Sequence, residues 1–142
     1  MLCHMYETGR MLEQVHFLYG TKLTQERSTP SDVLFLPRLM TVAGYYSRQV
    51  KLDFFFTSDA TQPNGGNLWT ESSAQSVHQN IPQHHRRRIT EEDLLRAIGS
   101  VEERRSTVCY VCGPPRMTDE IVQFLQFQEG MAVNRVLCEK WW

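Results

Sequence analysis

Segments patterned as helix and as strand alternate along all 142 residues, and this alternation constrains the fold more than any other feature. Residues 1–9 read as the end of a helix, with Met1, Leu2 and Met5 on one face and Gly9 as its stop. Val15–Tyr19 reads as a strand that ends at Gly20. A helix follows from an N-cap at Ser31 to about Ser47, with Leu36, Met40 and Ala43 at i, i+4 and i+7. Pro37 either kinks that helix or opens a second helical segment. Val50–Phe56 is a second strand, apolar towards its end as in a strand covered on both faces. Thr90 and the acids Glu91, Glu92 and Asp93 open a helix whose buried stripe is Leu94, Leu95, Ile98 and Val101. Val108–Val111 is a short strand. Thr118 then caps a helix that carries Ile121, Val122, Phe124 and Leu125 and ends at Gly130, and Val136–Cys138 is the last strand. Such alternation predicts an α/β fold, a mostly parallel Rossmann-like sheet of four strands with helices on both faces.

One stretch breaks the pattern. From about residue 60 to 85 the chain is rich in Ser, Gln, Asn, Gly and Pro, and it reads as a polar loop insertion with Trp69 as its one candidate anchor. The formal net charge is −1, which argues against wholesale binding of nucleic acid or of an anionic membrane surface. No apolar run approaches the roughly 18 residues of a membrane span. Glu7 and Glu13 interrupt the start early, so it reads as neither a signal nor a transit peptide. Cys3, Cys109, Cys112 and Cys138 are too few and too scattered for a disulfide framework, and reduced thiols are the expectation.

In an open parallel sheet, ligands bind beyond the carboxyl ends of the strands. Four segments lie there: 20–22, 57–59, 112–117 and 139–142. In the third, a strand stops at Cys112, turns on Gly113, Pro114 and Pro115, and enters a helix. A glycine permits close approach of a flat ligand, and the first turn of a helix offers N–H groups to a polar or anionic one. An ordinary strand-to-helix turn accounts for the same residues equally well.

The run Tyr110-Val111-Cys112-Gly113-Pro114-Pro115-Arg116-Met117 resembles the C-G-P-P-x-M signature of the ferredoxin–NAD(P) reductase superfamily. Phe17–Lys22 is similar to that family's second strand and turn, Asp32–Phe35 to its D-hydrophobic-L-F helix, and Arg88–Thr90 to the element before its fourth strand. The terminal Cys138-Glu139-Lys140-Trp141-Trp142 resembles one mitochondrial flavoprotein subgroup. The resemblance implies that the chain is the NAD(P)H-binding half of a flavin-dependent oxidoreductase, with hydride passing between nicotinamide and flavin. Cys112, Gly113 and Pro114 would line the nicotinamide pocket, shaped by Pro115 and Met117. Gly20 and Thr21 would lie near the middle of the dinucleotide, and Thr57 and Ser58 near its adenosine ribose. Cys112 and Glu139 would be the catalytic residues, and Trp142 would approach the flavin. The implied setting is mitochondrial, with the cytoplasm as the alternative.

Two departures from the family matter. Its Gly-Gly-x-Gly-x-x-Pro turn, which holds the pyrophosphate, is absent; the sole glycine pair is Gly65-Gly66 in the polar stretch. Its upstream FAD barrel has no counterpart either. The expectation is therefore a partial domain over 1–142 that lacks its first, central strand, is unstable alone, and meets FAD only in a longer form. The partners are then a dinucleotide and an upstream flavin domain, with no nucleic acid and no metal. A rival reading is a non-catalytic fragment or adaptor that keeps the domain shape and binds no dinucleotide. Ser58 is followed by Asp59 where NADPH-selective relatives place arginine, so NAD(H) is expected over NADP(H). Cys109 and Cys112 form a C-x-x-C, but positions i and i+3 of a strand point to opposite faces, so Cys109 reads as core. The basic His84–Arg88 cluster reads as a solvated loop end, with contact to RNA as the weaker alternative.

Overall fold

A computed structural model describes residues 2–23, 35–58 and 83–141. The chain forms two compact units, Met1–Arg88 and Ile89–Trp142. In both, every strand pair is parallel, and helices cover the sheets. The α/β class read from the sequence is borne out.

The first unit holds α1 (Leu2–Glu7), β1 (Val15–Leu23), α2 (Leu36–Tyr45), β2 (Val50–Ser58) and β3 (Gln83–His85), with the sheet in the order β1-β2-β3. Alternate strand residues such as Val50, Leu52, Phe54 and Phe56 meet Leu36, Leu39, Val42 and Ala43 of α2 and Leu2 of α1 in one core. The buried stripe of α2 keeps Leu36 and Ala43 as read and adds Leu39 and Val42, whereas Met40 is exposed. Pro37 sits in the first turn, where its missing N–H costs nothing, and Phe35 ahead of it takes a left-handed φ of 64°. The Ser31 cap, like Trp69, Gly65-Gly66 and most of the polar stretch, lies outside the described residues.

Both long strands outrun their expected ends. β1 continues through Gly20 because its pairing with β2 persists to Leu23↔Ser58. β2 is buried from Leu52 to Phe56, on both faces as its composition suggested. The short β3 replaces the loop expected at 83–85. Its register sets His84 against Phe54 and His85 against Phe55, and the rings stack at 5.7 and 4.6 Å. Arg87 lies 5.4 Å from the centre of the Phe55 ring. Stacking therefore draws His84 and His85 onto the sheet, whereas Arg86, Arg87 and Arg88 stay exposed after the strand, as a solvated loop end would.

The second unit holds α3 (Glu91–Ile98), α4 (Val101–Arg104), β4 (Cys109–Gly113), α5 (Pro115–Gln126) and β5 (Val136–Lys140). Thr90 starts α3 as read: the buried Asp93 carboxylate accepts from the Thr90 N–H at 2.9 Å and from its hydroxyl at 2.8 Å. Gly99, at φ 72°, stops the helix before Val101, and Ser100 caps a separate short helix. The core joins Ile98, Val111, Leu125, Met131 and Val136, with Cys109 packed against it as expected. Burial pushes the Cys109 thiol pKa up. β4 and β5 pair from Cys109↔Val136 to Gly113↔Lys140. β1 and β4, which the family resemblance sets on either side of a central strand, lie in different sheets.

Candidate functional site

The expected site residues fall into two sets, one in each unit. Gly20, Thr21, Thr57 and Ser58 belong to the first. Gly20 and Thr21 stand inside β1 opposite Phe55 and Phe56, and are not in a turn after it. Thr57 and Ser58 are the last two residues of β2. All four approach the carboxyl ends of neighbouring parallel strands.

Cys112, Gly113, Pro114, Pro115, Met117 and Glu139 come together in the second unit. β4 ends on Cys112 and Gly113, and α5 starts at Pro115 with Pro114 as its N-cap. The ring of Pro115 presets φ for the first helical position, and its missing N–H would have had no helical acceptor. Thr118 is thus not the cap that its residue type suggested. It lies in the first turn, fully buried, and its hydroxyl donates to the Gly113 carbonyl at 3.2 Å. The same carbonyl accepts the Trp141 N–H at 3.0 Å. A Cβ on Gly113 would meet the Met117 methyl, the far end of a flexible side chain, so the thioether folds over the bare glycine backbone. By position, the N–H groups of Arg116 and Met117 have no carbonyl four residues earlier within the helix.

Parallel register places Glu139 opposite Cys112. Both side chains are exposed, and the Cys112 thiol donates to Glu139 Oε2 at 4.0 Å. Tyr110, two residues before Cys112 and so on the same sheet face, donates its hydroxyl to that oxygen at 2.5 Å. This bond to a carboxylate holds the proton on Tyr110 and pushes its pKa up to about 12. On the neighbouring elements, Lys140 donates to Asp119 at 2.5 Å, which raises the Lys140 pKa. Trp141 is exposed, and Trp142 lies outside the described residues.

Sequence reasoning missed Tyr110, because a role for it requires the register between β4 and β5. It also missed a part-buried contact in the first unit. Asp53 of β2 is fully buried and accepts from His16 Nε2 of β1 at 2.7 Å, and its Oδ1 meets no partner among the described residues. Among those residues no three or more His, Cys, Asp or Glu side chains gather as a metal site, and no helix is long and apolar enough to cross a membrane.

The chain is similar to a curated protein of Danio rerio, oxidoreductase NAD-binding domain-containing protein 1, at 37% identity over 73 residues, which cover 51% of this chain and 25% of that protein. The protein of the same name from Xenopus laevis is 38% identical over 55 residues, 39% of this chain and 16% of the relative. The matched segments thus span a quarter or less of these relatives. No protein-family model and no solved structure matches the chain.

Proposed function

From its kinship with oxidoreductase NAD-binding domain-containing protein 1, which makes the chain a relative of that NAD-binding family over half its length, we propose that it is the NAD(P)H-binding half of a flavin-dependent oxidoreductase. The observation that carries the reading is the turn from β4 into α5, with Glu139 in register beside Cys112. Its groups suit a nicotinamide ring. Cys112 offers a thiol at the strand end, Gly113 a backbone without a Cβ, and Glu139 an acceptor for a carboxamide N–H. When bound, the nicotinamide supplies a hydride from C4 to a flavin; the cofactors do that chemistry and the protein positions them. The two prolines keep the turn rigid, and the N–H groups of Arg116 and Met117 donate to the ligand. The resemblance alone would assign Thr57 and Ser58 to the ribose end, Gly20 and Thr21 to the middle of the dinucleotide, and Trp142, outside the described residues, to the flavin ring. FAD arrives with an upstream flavin domain, and the setting is mitochondrial, both by resemblance.

The pyrophosphate has no glycine turn in these 142 residues, and that observation favours a second reading, an adaptor that binds no dinucleotide. Each missing charge-assisted bond forfeits about 1.5–3 kcal/mol. The expected result in calorimetry is therefore NADH binding no tighter than about millimolar, since three such bonds are worth at least about three decades of affinity. Protection of Cys112 from alkylation by saturating NADH supports the first reading. No heat and no protection at any concentration would leave the adaptor standing.

A further inference from the structure

The Glu139 carboxylate is exposed at the end of an edge strand, where a glutamate samples several rotamers unless something holds it. Two donors converge on its Oε2: the Tyr110 hydroxyl at 2.5 Å and the Cys112 thiol at 4.0 Å. A thiol is a weak donor, whereas a phenol bonded to a carboxylate makes a short, charge-assisted bond. The period of two along β4 puts Tyr110 and Cys112 on one face, and the parallel register brings Glu139 to that same face. The phenol reaches the carboxylate from two residue pairs further back along the strands, since Tyr110 itself pairs with Leu137. Neither Lys140 nor Asp119 competes, because they are paired with each other.

We propose that Tyr110 is a positioning residue whose hydroxyl anchors the Glu139 carboxylate beside the Cys112 thiol, so that the face of β4 and β5 presents a fixed negative acceptor next to a nucleophilic sulfur. This deepens the proposed reading, since a fixed acceptor at that turn recognises a ligand edge that carries N–H donors, as a primary carboxamide does, and disfavours one that carries a carboxylate. The anchoring itself is a property of the unliganded chain and stands or falls without any dinucleotide.

The test compares alkylation of Cys112 by neutral iodoacetamide and by anionic iodoacetate at one pH, followed by mass spectrometry at that residue. The ratio of the two rate constants cancels the reactivity of the thiol and reads the charge beside it. A unit charge about 4 Å away in water changes a local ion concentration about fivefold. The wild-type ratio should exceed that of Glu139→Gln by up to about this factor. Tyr110→Phe, which keeps the ring and loses only the hydroxyl, should fall to the Glu139→Gln value, and the double variant should fall no further. A thermal melt of Tyr110→Phe close to wild type separates the effect from unfolding. A Tyr110→Phe ratio equal to wild type would overturn the proposal, and so would a Glu139→Gln ratio equal to wild type. Failure of NADH to protect Cys112 bears on the functional reading and leaves the anchoring intact.

Discussion

Replacing His16 by leucine isolates one polar contact of the first unit, the bond to Asp53. Asp53 is fully buried in the middle of β2, and His16 Nε2 is its partner at 2.7 Å. The substitution leaves the carboxylate buried with Oδ1 and Oδ2 both without a partner among the described residues. Leaving a buried polar group without its partner costs about 1–3 kcal/mol, and more where the group is charged. Set against a typical domain stability of about 5–15 kcal/mol, that loss is large enough to read by urea unfolding followed by circular dichroism. The companion variant is the double replacement His16→Leu, Asp53→Leu. Swapping a buried pair for apolar side chains is commonly neutral or stabilising by about 1–4 kcal/mol. The double variant should therefore be more stable than the single one, although it carries more changes. A single-variant cost below about 1 kcal/mol, the level of an exposed pair, would refute the reasoning by showing that water or another donor reaches the carboxylate.

Other consequences are as concrete. On the proposed reading, a form supplied with the glycine turn and a flavin domain should favour NADH over NADPH in steady-state kinetics, because the sequence has Asp59 after Ser58 and a carboxylate there would repel a 2′-phosphate; about a tenfold preference for NADPH would contradict this. Thr118→Val removes the buried hydroxyl bond to the Gly113 carbonyl and should cost about 1 kcal/mol in a melt, because that carbonyl keeps the Trp141 N–H. Burial against Phe54 and Phe56, and then the neighbouring His85, hold the His84 pKa below its ordinary 6.5. The unfolded chain then takes up a proton that the native state refuses, so stability contributed by neutral His84 is present above pH 6.5 and falls as the pH drops through the lowered value. His84→Gln should flatten that acid limb of the unfolding curve, and an unchanged limb would assign it to other groups.

The sequence carries the element order because periodicity and capping act locally: Thr90 with Asp93 starts α3, and the apolar run Phe54–Phe56 becomes a strand buried on both faces. Its errors lie where a distant partner decides. Gly20 reads as a strand end, but pairing with Phe55 carries β1 onward. Gln83–His85 reads as loop, because stacking of His84 and His85 on phenylalanines thirty residues earlier leaves no local signature. Thr118 reads as a cap by residue type, but Pro115 had already opened the helix. At the candidate site, the 112–117 turn is contiguous and hence legible, whereas its join to Glu139 and Tyr110 depends on strand register and becomes visible only in three dimensions.

The carbonyl of Gly113 accepts from the Trp141 N–H and from the Thr118 hydroxyl at once, so one oxygen ties the end of the chain to the first turn of α5. Order at the C-terminus and order at the turn are consequently a single cooperative quantity. The Trp141 amide becomes a native reporter of the turn: its hydrogen exchange should slow whenever the β4–α5 junction is clamped and quicken when Thr118 can no longer share the carbonyl. A chain built this way would signal the occupancy of the turn through the exchange of one backbone amide, with no rearrangement of the sheet.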